Sequence, residues 1–250
     1  MSNSTPGSTT EPKTKAEEIT AILRDEILTG QYRPGERMPS ERDLAARFEA
    51  NRGAVRESLK KLEQLGIACI TPGGVRVVPV EEASLAVLGP IVDLQEAPDP
   101  VMAKHLLEVL GALLSMAART AMARASDEQL HEMQAISADI LDHSNDSEYQ
   151  SQRWRELGTL FTRVSNNLVL RLILNGLETQ LLNRAQSRPP VEFQVDTVKR
   201  QAVLQRLNNA IQARDGQEAA GAIIEHFELL NRYLQLALQP ALEATSSPSL

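Results

Sequence analysis

The apolar positions of the N-terminal region follow a helical spacing in three successive segments. The first segment, Lys15 to Leu28, predicts an amphipathic helix. Ser40 and Asp43 have the spacing of a capping-box variant and predict the start of a second helix, and Asn51 can cap a third. The third helix carries an apolar stripe at spacings of four, three and three residues: Val55, Leu59, Leu62 and Leu65. Such a stripe faces a core, so the three helices are expected to pack together.

After Gly66 the pattern changes to two short runs of β-type residues. The runs are Ile67 to Ile70 and Val75 to Val80, and the turn signal Thr71-Pro72-Gly73-Gly74 separates them. Two helices joined by a tight turn and followed by a small hairpin form a winged helix-turn-helix. The sequence therefore predicts this fold for the N-terminal domain.

From Val101 to Gln239 almost every window has helical spacing, and no β-rich run is evident. Ser126 and Gln129 form a capping box for the second helix of this region, and Arg188-Pro189-Pro190 interrupts the fourth. The last helix is expected from Gly216 to Leu238. The predicted fold class is mainly α, with an N-terminal winged helix-turn-helix, a small β-hairpin wing and a C-terminal all-α bundle of about six helices.

Composition sets the expected domain boundaries. Residues 1–12 are rich in Ser, Thr and Pro and are expected to form a disordered tail, and residues 13–80 form the winged-helix domain. Gly and Pro interrupt residues 81–100, which are expected to be a linker. The helical domain spans 101–239, and a flexible tail follows at 240–250. No signal peptide or membrane-spanning run is apparent, so we expect a cytoplasmic protein without a membrane partner.

The net charge of −7 is unfavourable for binding nucleic acid until its distribution is considered. Between Glu11 and Val80 twelve Lys and Arg stand against eleven Asp and Glu, whereas the remainder has fourteen against twenty-two. A nearly neutral N-terminal domain can bind phosphate through arginines gathered on one face. The acidic remainder disfavours non-specific binding to the DNA backbone.

Three arginines are predicted to share one surface of the helix-turn-helix. Arg52 and Arg56 are one turn apart on the third helix, directed away from its apolar stripe, and Arg42 can join them from the second helix. A guanidinium can bridge phosphate oxygens or bind O6 and N7 of guanine with two hydrogen bonds. The alternative is an ordinary solvated helical hairpin, since alternating Arg and Glu also keeps a helix in solution.

This segment resembles the GntR family of bacterial transcription factors from roughly Thr14 to Val80. The family pattern is G-x-x-x-P-G-x-x-L-P-S-E-R-x-L-A, then V-S-R-x-x-V-R-E-x-L, then a wing, with fixed spacings that make it specific. The matching residues are Gly30, Pro34, Gly35, Met38, Pro39, Ser40, Glu41, Arg42, Leu44 and Ala45, followed by Asn51, Arg52, Val55, Arg56, Glu57 and Leu59.

The resemblance implies which residues contact DNA. It assigns Arg42, Arg52 and Arg56 to the DNA contact. It also implies that the wing tip, Pro72 and Gly73, approaches the minor groove. Asn51 replaces the usual Ser or Thr and Gly53 replaces a bulkier residue, so both are expected to influence the preferred base sequence.

The helical region is similar to the C-terminal domain of the FadR branch of the family. The run Leu172 to Leu177 is like that of the bacterial fatty-acid-metabolism regulator for which the branch is named. The resemblance implies a small-molecule effector that controls DNA binding. It also implies a repressor that binds a pseudo-palindromic double-stranded operator as a homodimer. The other matching stretches are Leu107-Glu108, Ala117-Ala118-Arg119, Ser165-Asn166-Asn167, Ala213-Arg214-Asp215, Ala219-Ala220 and His226.

Many members of this branch hold a divalent metal through one Asp and three His, but this pattern fails here. Trp154, Gly158 and Leu204 occupy three of the four positions, and only His226 remains. One imidazole cannot hold a metal without other donors. We therefore predict no metal and no cofactor, and we interpret His226 as a hydrogen-bonded histidine in the interior or at its boundary.

The effector is expected to be aliphatic, because Leu, Ile, Val and Ala are abundant and the chain has four Phe, three Tyr and one Trp. The candidate lining residues are Trp154, Asn167, Asn175 and His226. A fatty acyl-CoA fits the resemblance at Leu172 to Leu177, but carboxylates near His226 disfavour a polyphosphate. An organic or sugar acid, and a bundle without an effector, remain as alternatives.

An enzyme is not expected. The chain has no G-x-S-x-G, H-E-x-x-H, Walker or dinucleotide-binding motif. The predicted function is a DNA-binding transcription regulator, a repressor controlled by a small effector. The alternatives are an architectural DNA-binding protein without an effector, and a helical enzyme with an accessory winged helix.

Overall fold

The computed structural model describes residues 14–143, 147–182 and 196–245 of the 250-residue chain. The chain divides into two compact units between Leu94 and Gln95. The predicted fold class is confirmed, because helices predominate and a small antiparallel hairpin follows the N-terminal helices. The expected tail at 1–12 and the break at Arg188-Pro189-Pro190 lie outside the described residues.

The first unit has the element order of a winged helix-turn-helix. Helix α1 spans Lys15–Leu28, α2 spans Glu41–Arg47 and α3 spans Arg52–Gln64. Strands β1, Ala68–Thr71, and β2, Gly74–Val77, pair antiparallel with Ala68 opposite Val77. The structure thus has the helices and the hairpin that the apolar pattern predicts.

Local capping fixes where the three helices begin. Thr14 and Glu17 form a capping box at α1, and the Asn51 side chain accepts a hydrogen bond from the backbone N–H of Ala54 at 2.8 Å. Ser40 accepts from the N–H of Asp43 at 3.3 Å, and its hydroxyl donates to the Asp43 carboxylate at 2.6 Å. The Asp43 side chain therefore accepts a hydrogen bond from the Ser40 hydroxyl. In a complete capping box it would accept from the backbone N–H of Ser40.

The core of the first unit is formed by the inward faces of the three helices and the hairpin. Helix α1 packs against α3, and α3 contacts β1. Arg47 on α2 forms an ion pair with the largely buried Glu26 on α1, which joins the two helices. The buried apolar residues are Ile19, Leu23, Ile27, Met38, Leu44, Val55, Leu59, Leu62, Ile67, Ala68, Val75, Val77 and Val87.

The segment before α2 pairs with the wing. The N–H of Met38 donates to the carbonyl of Val75 at 2.9 Å, and the N–H of Val77 donates to the carbonyl of Glu36 at 3.0 Å. Arg37 lies opposite Arg76 in an antiparallel bridge. Residues 36–38 therefore extend the two-stranded wing on its β2 side, an arrangement that the sequence did not predict.

Residues 81–100, expected to be a linker, contain regular secondary structure. Two 3₁₀ turns, Val80–Glu82 and Leu85–Val87, precede helix α4, Leu88–Asp93. Val87 is buried in the core of the first unit and Ile91 packs against it. The apolar side chains of this segment therefore continue the winged-helix core.

Six α-helices form the described part of the second unit. The first of them, Pro100–Arg124, packs against Ser147–Ser165 and Gly216–Thr245. The helix Thr197–Gln212 packs against Asp127–Asp142 and Gly216–Thr245. A π-helical turn, Glu178–Leu182, follows α8. The helices are α5, Pro100–Arg124; α6, Asp127–Asp142; α7, Ser147–Ser165; α8, Leu168–Leu177; α9, Thr197–Gln212; and α10, Gly216–Thr245.

The last helix is longer than predicted. It extends from Gly216 to Thr245 and includes Pro240, whereas its expected end was Leu238. An interior proline removes one backbone donor and crowds the carbonyl four residues earlier, but the sequence that follows Pro240, Ala-Leu-Glu-Ala, has high helix propensity. Part of the expected tail at 240–250 is therefore helical.

Helix α5 is the one described helix whose length and composition would allow it to cross a membrane. Its Ala117, Ala118 and Ala121 are fully buried in the core of the bundle. Packing against neighbouring helices therefore buries one part of α5, whereas its Val101, Val109 and Met116 are exposed.

Candidate DNA interface and effector site

The N-terminal end of α3 presents the predicted DNA-binding residues to solvent. Arg52 is the first residue of α3 and is exposed, and Arg56 follows one turn later. Arg42 on α2 is also exposed, with its Nε 3.6 Å from a carboxylate oxygen of Asp43. Three guanidiniums therefore reach solvent from the two helices of the motif.

A carboxylate that the sequence analysis did not assign orients one of these arginines. Arg56 Nε donates to Glu41 Oε1 at 3.1 Å, and its Nη2 donates to Oε2 at 2.9 Å. These hydrogen bonds lower the pKa of the Glu41 carboxyl and raise that of the Arg56 guanidinium, and the charge of Arg52 also lowers the pKa of Glu41. The two-pronged pair holds the Arg56 side chain in one orientation and joins α2 to α3.

Gly53 leaves room for the cap at the start of α3. A Cβ atom at this position would lie 3.1 Å from the Asn51 side-chain oxygen, closer than most Cβ contacts. Because Gly53 has no side chain, it leaves room for the Asn51 amide that caps α3. Both are exposed beside Arg52.

The wing turn is exposed at Pro72 and Gly73. Thr71 Oγ1 donates to the carbonyl of Gly74 at 2.8 Å and closes the turn. Gly74 has φ +113°, a conformation that favours glycine. The structure therefore presents both predicted wing-tip residues to solvent on a constrained turn.

In the second unit, the structure brings together two of the four predicted effector residues. The rings of Trp154 on α7 and His226 on α10 stack with centroids 3.9 Å apart and an interplanar angle of 22°. Phe227 meets the His226 ring edge-on at 5.6 Å. His226 is 5% exposed, as expected for an interior histidine, but among the described residues its imidazole forms ring contacts and no hydrogen bond.

Arg200 on α9 contributes an electrostatic feature that the sequence analysis missed. Its buried Nε has no hydrogen-bond partner in the described part of the chain. Burial lowers the pKa of its guanidinium, which Tyr233 partly opposes. Burial also lowers the pKa of His226 to about 3, and the charge of Arg200 acts in the same direction. A neutral imidazole and a partly buried guanidinium therefore act on one region of the bundle.

The two predicted asparagines lie elsewhere in the described structure. Asn167 is exposed and caps α8, where its Oδ1 accepts from the N–H of Leu170 at 3.1 Å. Asn175 is exposed near the end of α8, and its carbonyl accepts from Thr179 Oγ1 at 2.8 Å. Neither is buried with the stacked rings.

The positions that bear metal ligands in the resembled branch have apolar surroundings here. Leu204 is buried, and a Cβ atom at the buried Gly158 would lie 3.2 Å from Leu114 Cδ2. Across residues 14–143, 147–182 and 196–245, no three His, Cys, Asp or Glu side chains are grouped as metal ligands would be. The site is therefore a ring stack beside a cation, without the donor set of a metal centre.

Comparison with known families assigns both units. Residues 15–78 match the model of bacterial regulatory proteins of the gntR family. Residues 105–229, half of the chain, match the FCD domain. The winged-helix match includes every arginine predicted to contact DNA, and the FCD match includes both stacked rings and Arg200.

Relatives of this chain are transcription regulators. Mce2R of Mycobacterium tuberculosis is 27% identical over 228 residues, which cover 89% of this chain and 92% of that protein. An uncharacterized HTH-type regulator of the same species, Rv0494, is 35% identical over 112 residues, or 45% of this chain and 46% of that regulator. The structure of Lar, which controls expression of the Listeria monocytogenes agr system, has the same fold with a TM-score of 0.52 at 14% identity, covering 90% of this chain and 98% of that one.

The resemblance inferred from the sequence is confirmed, and the domains and relatives are those of regulators, not enzymes. The chain belongs to the GntR family of bacterial regulatory proteins and is a DNA-binding transcription regulator with an FCD effector-binding domain.

Proposed function

We propose that this regulator is a cytoplasmic repressor of the FadR branch that binds a pseudo-palindromic operator as a homodimer. A small organic acid binds the helical unit and causes release of the operator. The observation that carries the DNA-binding part is the Arg56–Glu41 pair beside the exposed Arg52 at the start of α3. A recognition helix enters the major groove by its N-terminal residues. The pair supports this because an oriented guanidinium loses less freedom on binding.

Arg52 and Arg56 are suited to read guanine or to bind phosphate through two hydrogen bonds. Arg42 extends the positive surface from α2. Asn51 and Gly53 set the backbone at the start of α3, and Pro72 and Gly73 bring the wing towards the minor groove. Together they make a recognition helix and a wing that contact neighbouring grooves.

Replacement of Arg52 or Arg56 by Ala tests this interface. A duplex selected by the wild-type protein from randomised DNA provides the operator. We expect each substitution to weaken its binding by about 1 to 3 kcal/mol per half-site contact, measured by fluorescence anisotropy at fixed salt. Arg163→Ala, an exposed arginine of the second unit paired with Glu132, has the same charge change and is expected to bind normally. Full binding by both α3 variants would refute the interface.

An organic acid is the effector class that the second unit favours. The Nε of Arg200 is buried and has no hydrogen-bond partner among the residues that the structure describes, so an anion that accepts a hydrogen bond from it would stabilise the guanidinium. One guanidinium matches one carboxylate better than a polyphosphate, and the Trp154 and Phe227 rings near His226 supply flat apolar walls. This supports an acid with a short apolar body over a fatty acyl-CoA.

The homodimer is supported by an exposed apolar stripe on α8. The four side chains are between 40% and 67% exposed in the single chain, although large apolar residues are usually buried. Two-fold pairing would bury the same stripe from both copies and place two recognition helices on two half-sites. The stripe comprises Leu168, Val169, Leu172 and Ile173.

A further inference from the structure

The wing lacks a charged residue at its turn, but a neighbouring segment brings a guanidinium to it. None of the four turn residues, Thr71, Pro72, Gly73 and Gly74, carries a charge. The guanidinium belongs to Arg37, which precedes α2 and lies more than thirty residues earlier in the chain. The charge of the wing therefore does not come from its own turn.

Backbone pairing fixes where Arg37 lies. Arg37 stands opposite Arg76 in an antiparallel bridge, and its neighbours are bonded to the same strand through Met38 N–H to Val75 O at 2.9 Å and Val77 N–H to Glu36 O at 3.0 Å. Hydrogen bonds on both sides hold the Arg37 backbone against β2. Its side chain thus starts from a fixed point beside the wing.

The Arg37 side chain then crosses the turn at Gly74. A Cβ atom added to Gly74 would lie 2.8 Å from Arg37 Nε and 3.1 Å from Nη2. Any larger residue would have to displace the guanidinium, so Gly74 leaves the space that the Arg37 side chain occupies. Gly74 therefore both permits the turn at φ +113° and makes space for Arg37.

The guanidinium is available for a ligand. Arg37 is exposed, and its side chain forms no hydrogen bond or ion pair with any residue of the described ranges. Arg76 on the same strand differs, since its Nη1 donates to the carbonyl of Gly35 at 2.9 Å. Arg37 is therefore a free cation at the wing turn, whereas its bridge partner is bound to the protein.

We propose that Arg37 is a DNA-reading residue that inserts its guanidinium into the minor groove beside the wing tip and favours A·T pairs there. The inference rests on the proposed binding of operator DNA. A narrow A·T-rich minor groove has an enhanced negative potential that attracts arginine, and the exocyclic amino group of guanine obstructs it. Arg37 supplies the positive charge that Pro72 and Gly73 lack.

The test uses the selected duplex and two versions of it. In one version the A·T pairs flanking the bases read by α3 are replaced by G·C, and in the other by inosine·cytosine. Inosine·cytosine has the major-groove edge of G·C without the amino group in the minor groove. We expect the wild-type protein to bind the G·C duplex about tenfold more weakly and the inosine duplex almost as tightly as the parent.

Arg37→Ala is expected to bind the parent duplex about tenfold more weakly and to lose the distinction among the three duplexes. Arg33→Ala, an exposed arginine of the same loop, removes the same charge and should retain the distinction. Circular dichroism melting verifies that the variants remain folded. Equal loss by Arg37→Ala on all three duplexes, or no loss, overturns the proposal. If the wild-type protein selects no duplex, the proposed operator binding fails instead.

Discussion

At the scale of single residues, burial lowers the pKa of both Arg200 on α9 and His226 on α10, but only one of the two side chains keeps its charge. Arg200 keeps a charge although its Nε is buried without a partner in the described structure, whereas His226 is held neutral by burial. A buried guanidinium N–H without an acceptor destabilises the fold unless a ligand supplies one. Arg200 therefore lowers the stability of the helical unit in the absence of a ligand and raises its affinity for an anion.

Replacement of Arg200 by Met separates these two effects. We expect the free energy of unfolding in urea to be unchanged or higher by about 1 kcal/mol, because an apolar chain of similar length removes the buried N–H that lacks an acceptor. Thermal-shift screening of short organic acids, sugar acids and acyl-CoAs should find an acid that stabilises the wild-type protein by roughly 2.7 kcal/mol at a hundred times its dissociation constant. The same acid should not shift Arg200→Met.

Arg206→Met is the control for this variant. Arg206 is on the same helix but pairs at the surface with Glu218 and Glu225, so its replacement should preserve the response to the acid. A response retained by Arg200→Met, or a shift caused only by acyl-CoA, would contradict the proposed effector class.

The neutral state of His226 predicts a dependence of stability on pH. Its folded pKa of about 3 lies below the ordinary value of 6.5, so the unfolded chain binds more protons between these limits. The stability contributed by the neutral ring is fully present above about pH 6.5 and falls as the pH is lowered towards 3. At pH 5 the loss amounts to about 2 kcal/mol.

His226→Phe measures this contribution. Phenylalanine can keep the stack on Trp154 but has no titrating group. Urea unfolding at pH 7.5 and pH 5, followed by circular dichroism, should show a smaller decrease for the variant by about 2 kcal/mol. Equal decreases in both proteins would mean that the ring of His226 can be protonated without opening the bundle.

At the scale of elements, the sequence predicted where helices begin better than which face they bury. The caps at Ser40, Asn51 and Ser126 are all present, because capping depends on residues within one turn. On α5, Leu110 is buried, whereas the equally apolar Val109 beside it is 47% exposed. The helix instead buries its alanines around Ala117, since their small side chains allow close packing but give a weak hydrophobic signal in the sequence.

Contacts between distant residues account for the rest of what the sequence did not predict. The Arg56–Glu41 pair joins residues 15 positions apart on two helices. The path of Arg37 across Gly74 depends on backbone pairing between a loop and the wing. The sequence thus predicted the arginines of α3, but not the carboxylate that orients one of them or the additional arginine beside the wing.

Close packing at the start of α10 predicts that replacing two of its glycines by Ala has opposite effects on stability. A Cβ atom at Gly216 would lie 2.7 Å from the backbone carbonyl oxygen of Arg119 on α5, whereas one at Gly221 would meet no atom within 4 Å. Gly216→Ala should destabilise the protein by about 1 to 3 kcal/mol in urea, since the opposing backbone must shift. Gly221→Ala should stabilise it by about 0.5 to 1 kcal/mol through helix propensity. Equal effects would show that α5 and α10 do not pack this closely.

At the scale of the whole molecule, the exposed stripe on α8 predicts how copies associate. Leu172→Glu would place a like charge from each copy at the proposed two-fold contact. We expect light scattering to show a dimer for the wild-type protein and a monomer for this variant at micromolar concentration. The monomer should bind the selected duplex more weakly, because one copy occupies only one half-site.

Val198→Glu is the matched control for Leu172→Glu. Val198 is 75% exposed on α9, so the substitution adds the same charge at another exposed apolar position. It should remain dimeric. A dimer that survives Leu172→Glu would show that the copies pair through another surface.

The stacked pair also gives the protein an optical reporter. Trp154 is the single tryptophan of the chain, and its indole lies face to face with the imidazole of His226. Emission excited at the red edge of protein absorbance therefore arises from one place, beside the candidate effector residues. Any acid that separates or tightens the two rings will change that emission without a label, while DNA contributes no indole signal. Stopped-flow mixing can then follow arrival of the acid and, with a dye on the duplex, release of the DNA in one experiment.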